Sequence, residues 1–202
     1  MIKNIIFDFG DIFINLDKQA TYKAMAALGV TKISNEMINV YHQYEKGLMT
    51  TENFIDFFYN KFGTPKADLI NAWNAILLDF PKNRLEFLKE ISASKKYRLF
   101  LLSNTNDLHI KWILNSLGEK FYTEFKNCFE QFYLSHEINF RKPDSEIYKF
   151  VLNENNLVAT ETLFVDDLKE NTEEARKLGI HVWNLIPEKE EVTALFTKNK
   201  FL

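Results

Sequence analysis

Residues 5–11, Ile5-Ile6-Phe7-Asp8-Phe9-Gly10-Asp11, carry three large apolar side chains straight into a carboxylate and then a glycine. A short, continuous apolar run of this kind reads as a strand buried on both faces. Three further runs share the pattern: Leu99-Phe100-Leu101-Leu102, Leu163-Phe164-Val165 and His181-Val182-Trp183. Between them the spacing turns helical, as in Leu108, Trp112, Ile113 and Leu117 followed by Gly118. A glycine just past the last turn ends a helix at little cost, and Leu178-Gly179 repeats the signal. Strands alternating with helices define an α/β fold with a parallel sheet covered on both faces. Ligands of such folds gather at the carboxyl ends of the strands.

The alternation breaks between residues 17 and 82, where four helical patterns follow one another with no strand among them. The first runs from Ala20 through Tyr22, Met25 and Leu28 to Gly29. The second opens at Ser34, a suitable N-cap, and carries Met37, Ile38 and Tyr41 toward Gly47. Phe54, Phe57, Phe58 and Phe62 mark the third, and Leu69, Trp73, Ile76 and Leu77 before Pro81 the fourth. The expected organisation is a core of residues 1–16 and 83–202 with a small helical domain, 17–82, inserted into it. The aromatic stripes, and Trp73, Trp112 and Trp183, read as packing residues. Tyr41, Tyr44 and Glu45 are candidates to face a ligand.

Composition narrows the function classes. The 202 residues are 46% hydrophobic with only six glycines and four prolines, which excludes a disordered chain. A formal net charge of -3 supplies no broad positive field, so neither nucleic acid nor an anionic membrane surface is an expected partner. No apolar stretch approaches the roughly 20 residues of a membrane helix. The single cysteine, Cys128, reads as a small core hydrophobe, and with no internal disulfide to form, the expected location is cytoplasmic. Oligomeric state is not readable.

Four places set polar groups at strand ends. Asp8 closes the first strand; taken alone, it could simply cap a turn. Ser103-Asn104-Thr105-Asn106-Asp107 follows the second. Hydroxyl, amide and backbone N–H groups there suit phosphate oxygens, though an N-cap would look the same. Arg141-Lys142-Pro143-Asp144 places a basic residue before a proline at a helix start, where a solvated lysine is the plainer reading. Leu163-Phe164-Val165 runs into Asp166-Asp167. Two adjacent carboxylates at a buried strand end are costly without a cation between them, and a hard ion such as Mg²⁺ is the natural one.

Strand-Asp, strand-Ser/Asn, Lys-Pro and strand-Asp-Asp, in that order, resemble the four motifs of the haloacid dehalogenase superfamily. The likeness spans the core and implies a three-layer Rossmann-like sheet, the inserted helices standing where that family carries its cap. Asp8-Phe9-Gly10, Ser103 to Asn106, Arg141-Lys142-Pro143, and Asp166-Asp167 followed by Asn171 and Ala175 are most similar to bacterial sugar-phosphate phosphatases, notably those acting on α-D-glucose 1-phosphate. The resemblance implies a small phosphorylated substrate, Asp8 as nucleophile, and an aspartyl-phosphate that water hydrolyses. It implies Mg²⁺ held by Asp8, the Gly10 carbonyl and Asp166-Asp167, with Asp167 the direct ligand of that pair. Ser103, Asn104 and Lys142 would bind the phosphoryl oxygens.

The family's first motif is usually Asp-x-Asp, whose second Asp is the general acid; this chain has Gly10 there. Asp11 is either a substitute acid or a turn residue. The alternatives are a metal-independent 2-haloacid dehalogenase-like hydrolase, since those also lack the second Asp, and an inactive relative that binds a phosphorylated ligand.

Overall fold

The computed structural model describes residues 1–199. From the N-terminus, β1 (Asn4–Phe7) is followed by four helices: α1 (Ala20–Ala27), α2 (Asn35–Glu45), α3 (Thr51–Phe62) and α4 (Lys66–Asn74). Then come α5 (Lys82–Ser94), β2 (Arg98–Ser103), α6 (Asp107–Leu117), α7 (Glu119–Lys126), β3 (Gln131–Leu134), α8 (Ser135–Ile138) and α9 (Ser145–Glu154). The described chain closes with β4 (Thr162–Asp166), α10 (Lys169–Lys177), β5 (His181–Asn184) and α11 (Leu195–Lys198).

Among the described residues one sheet forms, five-stranded and parallel, in the order β3-β2-β1-β4-β5. The strand period of two divides its side chains between two apolar layers. Ile5, Phe7, Leu99, Leu101, Leu163 and Val165 face Leu85, Leu88 and Ile91 of α5, Ile113 of α6 and Phe125 of α7. Ile6, Phe100, Leu102 and Phe164 face Ile147, Tyr148 and Val151 of α9 and Ala175 of α10. The result is a three-layer α/β fold, as the alternation of runs specifies. The edge strand β3 is absent from the sequence reading because Gln131-Phe132-Tyr133-Leu134 is half exposed and makes no continuous apolar run.

Helices α1–α4 pack around a third cluster, Met25, Met37, Val40, Tyr44, Phe54, Phe58, Leu69 and Ala72 among it, which Leu108 of α6 joins. Tyr44 stacks on Phe54 at 4.1 Å between ring centroids, and its hydroxyl meets Thr51 Oγ1 (3.0 Å) and the N–H of Leu108 (3.1 Å). Tyr44 therefore packs the helices, where the sequence left it a candidate for ligand contact. Ser34 caps α2 as expected, its Oγ accepting from Met37 N at 3.3 Å.

α4 ends at Asn74, so Ile76 and Leu77 are not helical as their spacing suggested. Ile76 lies in the turn after α4, and Leu77 forms an antiparallel bridge with Leu16, beside the exit from β1. Asp17 N donates to the Ile76 carbonyl (2.9 Å), Leu78 N to that of Asn15 (3.0 Å) and Asn15 N to that of Asp79 (2.9 Å). These backbone bonds satisfied outside a helix outweigh the helical period of the side chains.

Candidate active site

The register of the sheet brings the polar strand ends together. Phe7 lies opposite Leu101 on one side and Val165 on the other, so Asp8, Ser103 and Asp166 emerge together at the carboxyl ends of the three central strands. Asp8 continues the ladder by one bond, its N–H donating to the Val165 carbonyl at 2.8 Å. Oxygens of Asp8, Asp166 and Asp167 all lie within 4.8 Å of one another.

Lys142 reaches into this cluster from the segment before α9. It is 1% exposed, and its Nζ donates to Asp8 Oδ1 and to Asp166 Oδ2, both at 2.7 Å. Burial alone would lower its pKa, but the carboxylates of Asp166 and Asp8 hold it above the ordinary value and keep it charged. Pro143 does not open the helix. It sits in a turn closed by Asp144 N to the Arg141 carbonyl (3.0 Å), one step ahead of α9, and the Lys142–Pro143 peptide is cis.

Asp166 is fully engaged. Its Oδ1 accepts from Leu168 N (2.8 Å) and Asn171 Nδ2 (3.1 Å), and its Oδ2 from Lys142 and Asn171 Nδ2 (3.0 Å). It orients the lysine, while Asp8 and Asp167 line the pocket itself. Burial and the repulsion of Asp166 and Asp167 push the Asp8 carboxyl up against the pull of Lys142. Asp167 is likewise raised, by burial and by Asp166. Oδ1 of Asn171, in the same wall, is buried without a hydrogen-bond partner. Surplus negative charge and an orphaned oxygen make an all-oxygen donor set, which fits a hard divalent cation of the Mg²⁺ type.

The second strand end divides its labour. Ser103, 3% exposed, lines the pocket. Asn104 also lines it, but its side chain is turned to the third motif. Nδ2 donates to the Lys142 carbonyl and Oδ1 accepts from Lys142 N, both at 2.8 Å. Its amide group thus fixes the backbone of Lys142 and leaves only its main chain to meet a ligand. Ser135 Oγ, fully buried, braces the same turn by accepting from Thr105 N (2.9 Å) and donating to its carbonyl (3.0 Å). No sequence spacing announces Ser135 or the side-chain role of Asn104.

Gly10 lines the pocket beside Asp8. A Cβ there would meet Leu16 Cδ1 at 2.7 Å, so Leu16 fills the direction in which an acid at this position would extend. Asp11 takes the turn role. It has φ +54, its Oδ1 accepts from Leu16 N (3.0 Å), and its Oδ2 pairs with Lys18 (2.9 Å). Lys18, which the sequence reading passed over, also pairs with Asp167 and so closes one side of the pocket.

The inserted helices supply the facing wall. Glu45 of α2, 5% exposed, accepts from Tyr41 Oη (2.6 Å) and from Arg141 Nε (3.1 Å). Burial raises the Glu45 pKa against those donors. Gly47, at φ +65, lets the end of α2 press on the 136–144 segment: a Cβ would lie 1.9 Å from the His136 carbonyl oxygen. Lys46 pairs with Asp144 at 2.8 Å across the same contact.

The model of the haloacid dehalogenase-like hydrolases matches residues 5–185, and the chain belongs to that family. A curated relative, D-ribitol-5-phosphate phosphatase of Bacteroides thetaiotaomicron, is 27% identical over 194 residues, 91% of each chain. A HAD-family enzyme of the same organism, crystallised with magnesium and inorganic phosphate, superposes with a TM-score of 0.83 at 33% identity, covering 97% of this chain and all of the other. A HAD-like hydrolase of Porphyromonas gingivalis gives a TM-score of 0.85 at 25% identity over 98% and 97% of the two chains.

Proposed function

We propose that the chain is a Mg²⁺-dependent phosphatase of a small phosphorylated metabolite. The observation that carries this reading is three carboxylates within 4.8 Å of one another at the carboxyl ends of the central strands, two of them paired with a buried lysine. A metal-independent hydrolase has no cation to offset the charge that Asp167 adds beside Asp8. The relatives named above, a phosphatase and an enzyme crystallised with magnesium and phosphate, support the same reading.

Asp8 attacks phosphorus through a carboxylate oxygen, and the bond from phosphorus to the ester oxygen breaks. Water then attacks the aspartyl-phosphate, releasing inorganic phosphate and restoring Asp8. Asp8, Asp167, the Gly10 carbonyl and, more remotely, Asp166 would hold the Mg²⁺, which when bound neutralises charge between the anionic nucleophile and its anionic substrate. Lys142, Ser103 and the Asn104 main chain hold the phosphoryl oxygens. With Gly10 in place of an acid and Asp11 tied to its turn, the leaving oxygen takes its proton from water. That favours esters whose alcohol leaves readily, a sugar 1-phosphate such as glucose 1-phosphate among them. Helices α1–α4, within residues 17–82, act as the cap over this pocket.

Phosphate release from sugar, polyol and nucleoside phosphates, with Mg²⁺ and with EDTA, tests the reading. Wild type should turn over only with Mg²⁺, and Asp8→Asn not at all. Equal turnover by Asp8→Asn would overturn the nucleophile; halide release from 2-haloacids without metal would overturn the reaction class.

A further inference from the structure

Beside the catalytic pocket, about 410 Å³, lies a second cavity of about 460 Å³ held among the inserted helices. Each falls within the roughly 300–1,000 Å³ of small-molecule sites. The two adjoin: Lys18, Tyr41, Ile76 and His109 line both. Their chemistry differs sharply. The catalytic pocket is walled by Asp8, Asp167, Lys142 and Arg141, the second cavity by Met25, Val30, Met37, Phe58 and Trp73.

Several polar groups of the second cavity are engaged within the protein, Lys18 with Asp11 and Asp167 among them. Thr21 Oγ1 donates to the Trp73 carbonyl (2.9 Å), and the Tyr41 hydroxyl donates to Glu45. The His109 ring lies between Asn106 Nδ2 (3.3 Å) and the Trp73 carbonyl (3.4 Å). A polyol entering here would bury hydroxyls without partners, which is unfavourable. At the mouth stand three exposed apolar side chains, Tyr22, Ile33 and Ile38, at 49%, 58% and 41%. Exposed apolar groups gathered around one opening mark a binding surface.

We infer that the substrate is amphipathic: a monophosphate whose phosphate end sits on Asp8 and whose organic part carries an apolar chain lodged in the cavity of Met25, Met37, Phe58 and Trp73. The inference rests on the phosphatase reading and narrows it: the organic part of the ester carries an apolar chain, in place of the bare sugar suggested by sequence resemblance. The occupant follows from adjacency, since the organic part of an ester whose phosphate sits on Asp8 lies next to the four side chains shared with the apolar cavity.

The test is a series of alkyl monophosphates, from ethyl through butyl and hexyl to octyl, beside polyol phosphates of equal chain length, all with Mg²⁺. The expected result is a rise in kcat/KM of about fourfold per added methylene until the cavity fills, the ratio that burial of one methylene supplies. Ile33→Asp with Ile38→Asp, at the rim of the cavity, should flatten that rise, so that octyl phosphate loses more kcat/KM than ethyl phosphate does. Turnover of the short esters with no dependence on chain length would overturn the apolar-chain proposal and leave the phosphatase reading standing. A polyol phosphate preferred over its equal-length alkyl ester would do the same. No Mg²⁺-dependent turnover of any ester would overturn both.

Discussion

Lys142→Met should cost stability as well as activity. The ammonium is 1% exposed and lies 2.7 Å from both Asp8 and Asp166, the latter fully buried. Methionine preserves the stem but leaves two carboxylates facing each other with no countercharge. Removing one partner of a buried ion pair costs about 3–5 kcal/mol. For a chain of this size each kcal/mol moves Tm by about 2–4 °C, so the expected drop is about 6–20 °C, a large share of a typical total stability. Thermal unfolding followed by circular dichroism in EDTA measures it directly. Two companions sharpen the reasoning. Saturating Mg²⁺ should raise the Tm of Lys142→Met more than that of wild type, because the more negative site binds the cation more tightly. Adding Asp166→Asn should recover part of the loss, as coupled partners do. A Tm in EDTA within about 2 °C of wild type would refute the claim that the lysine is the charge that keeps this cluster together.

Asn104→Ala removes both side-chain bonds to the Lys142 backbone and should lower kcat with little change in KM for substrate, read by steady-state kinetics on the best substrate; an unchanged kcat would show that the lysine holds itself in place. Gly10→Asp, combined with Leu16→Ala to clear the 2.7 Å approach, should raise kcat by up to about 10²-fold on alkyl esters and leave p-nitrophenyl phosphate, whose leaving group needs no proton, unaffected. His109, partly buried beside Trp73, has its pKa lowered to about 4, chiefly by burial and against the Trp73 carbonyl. The folded protein therefore binds fewer protons than the unfolded chain between pH 6.5 and about 4, so this contribution is complete above that window and is lost as pH falls through it. Urea midpoints at pH 7 and pH 5 should fall further for wild type than for His109→Gln, and parallel falls would rule the histidine out.

The fold was legible because the apolar runs are short, continuous and placed between helical segments, and a strand buried on both faces needs nothing else. Only β3 escaped, since an edge strand with Gln131 exposed is not marked by hydrophobicity. Within the site, Asp8, Ser103, Lys142, Asp166 and Asp167 each stand at the end of an apolar run or beside a proline, and that position is what made them visible. Their meeting at one site is read from the family resemblance and not from the runs themselves, because it depends on strand order: β2 and β4 must flank β1 for Ser103 and Asp166 to meet Asp8. The side chains of Asn104, Ser135 and Lys18 each act through a pair of hydrogen bonds or ion pairs across loops, and no periodicity encodes those.

The inserted helices pose a different problem. The period of a helix reports which face is apolar, and it is silent on whether that face meets another helix or a ligand. Met25, Met37 and Phe58 belong to the helical cluster and to the cavity wall at once. Trp73, a packing residue by its spacing, stacks on Phe54 at 4.7 Å and on His109 at 5.8 Å while presenting surface to the cavity. The same apolar side chains that fold the insertion therefore shape the compartment next to Asp8. A substitution there changes packing and the room left for the organic part of the substrate together. On the proposed reading, selectivity is thus carried by residues that look, in sequence, like ordinary core.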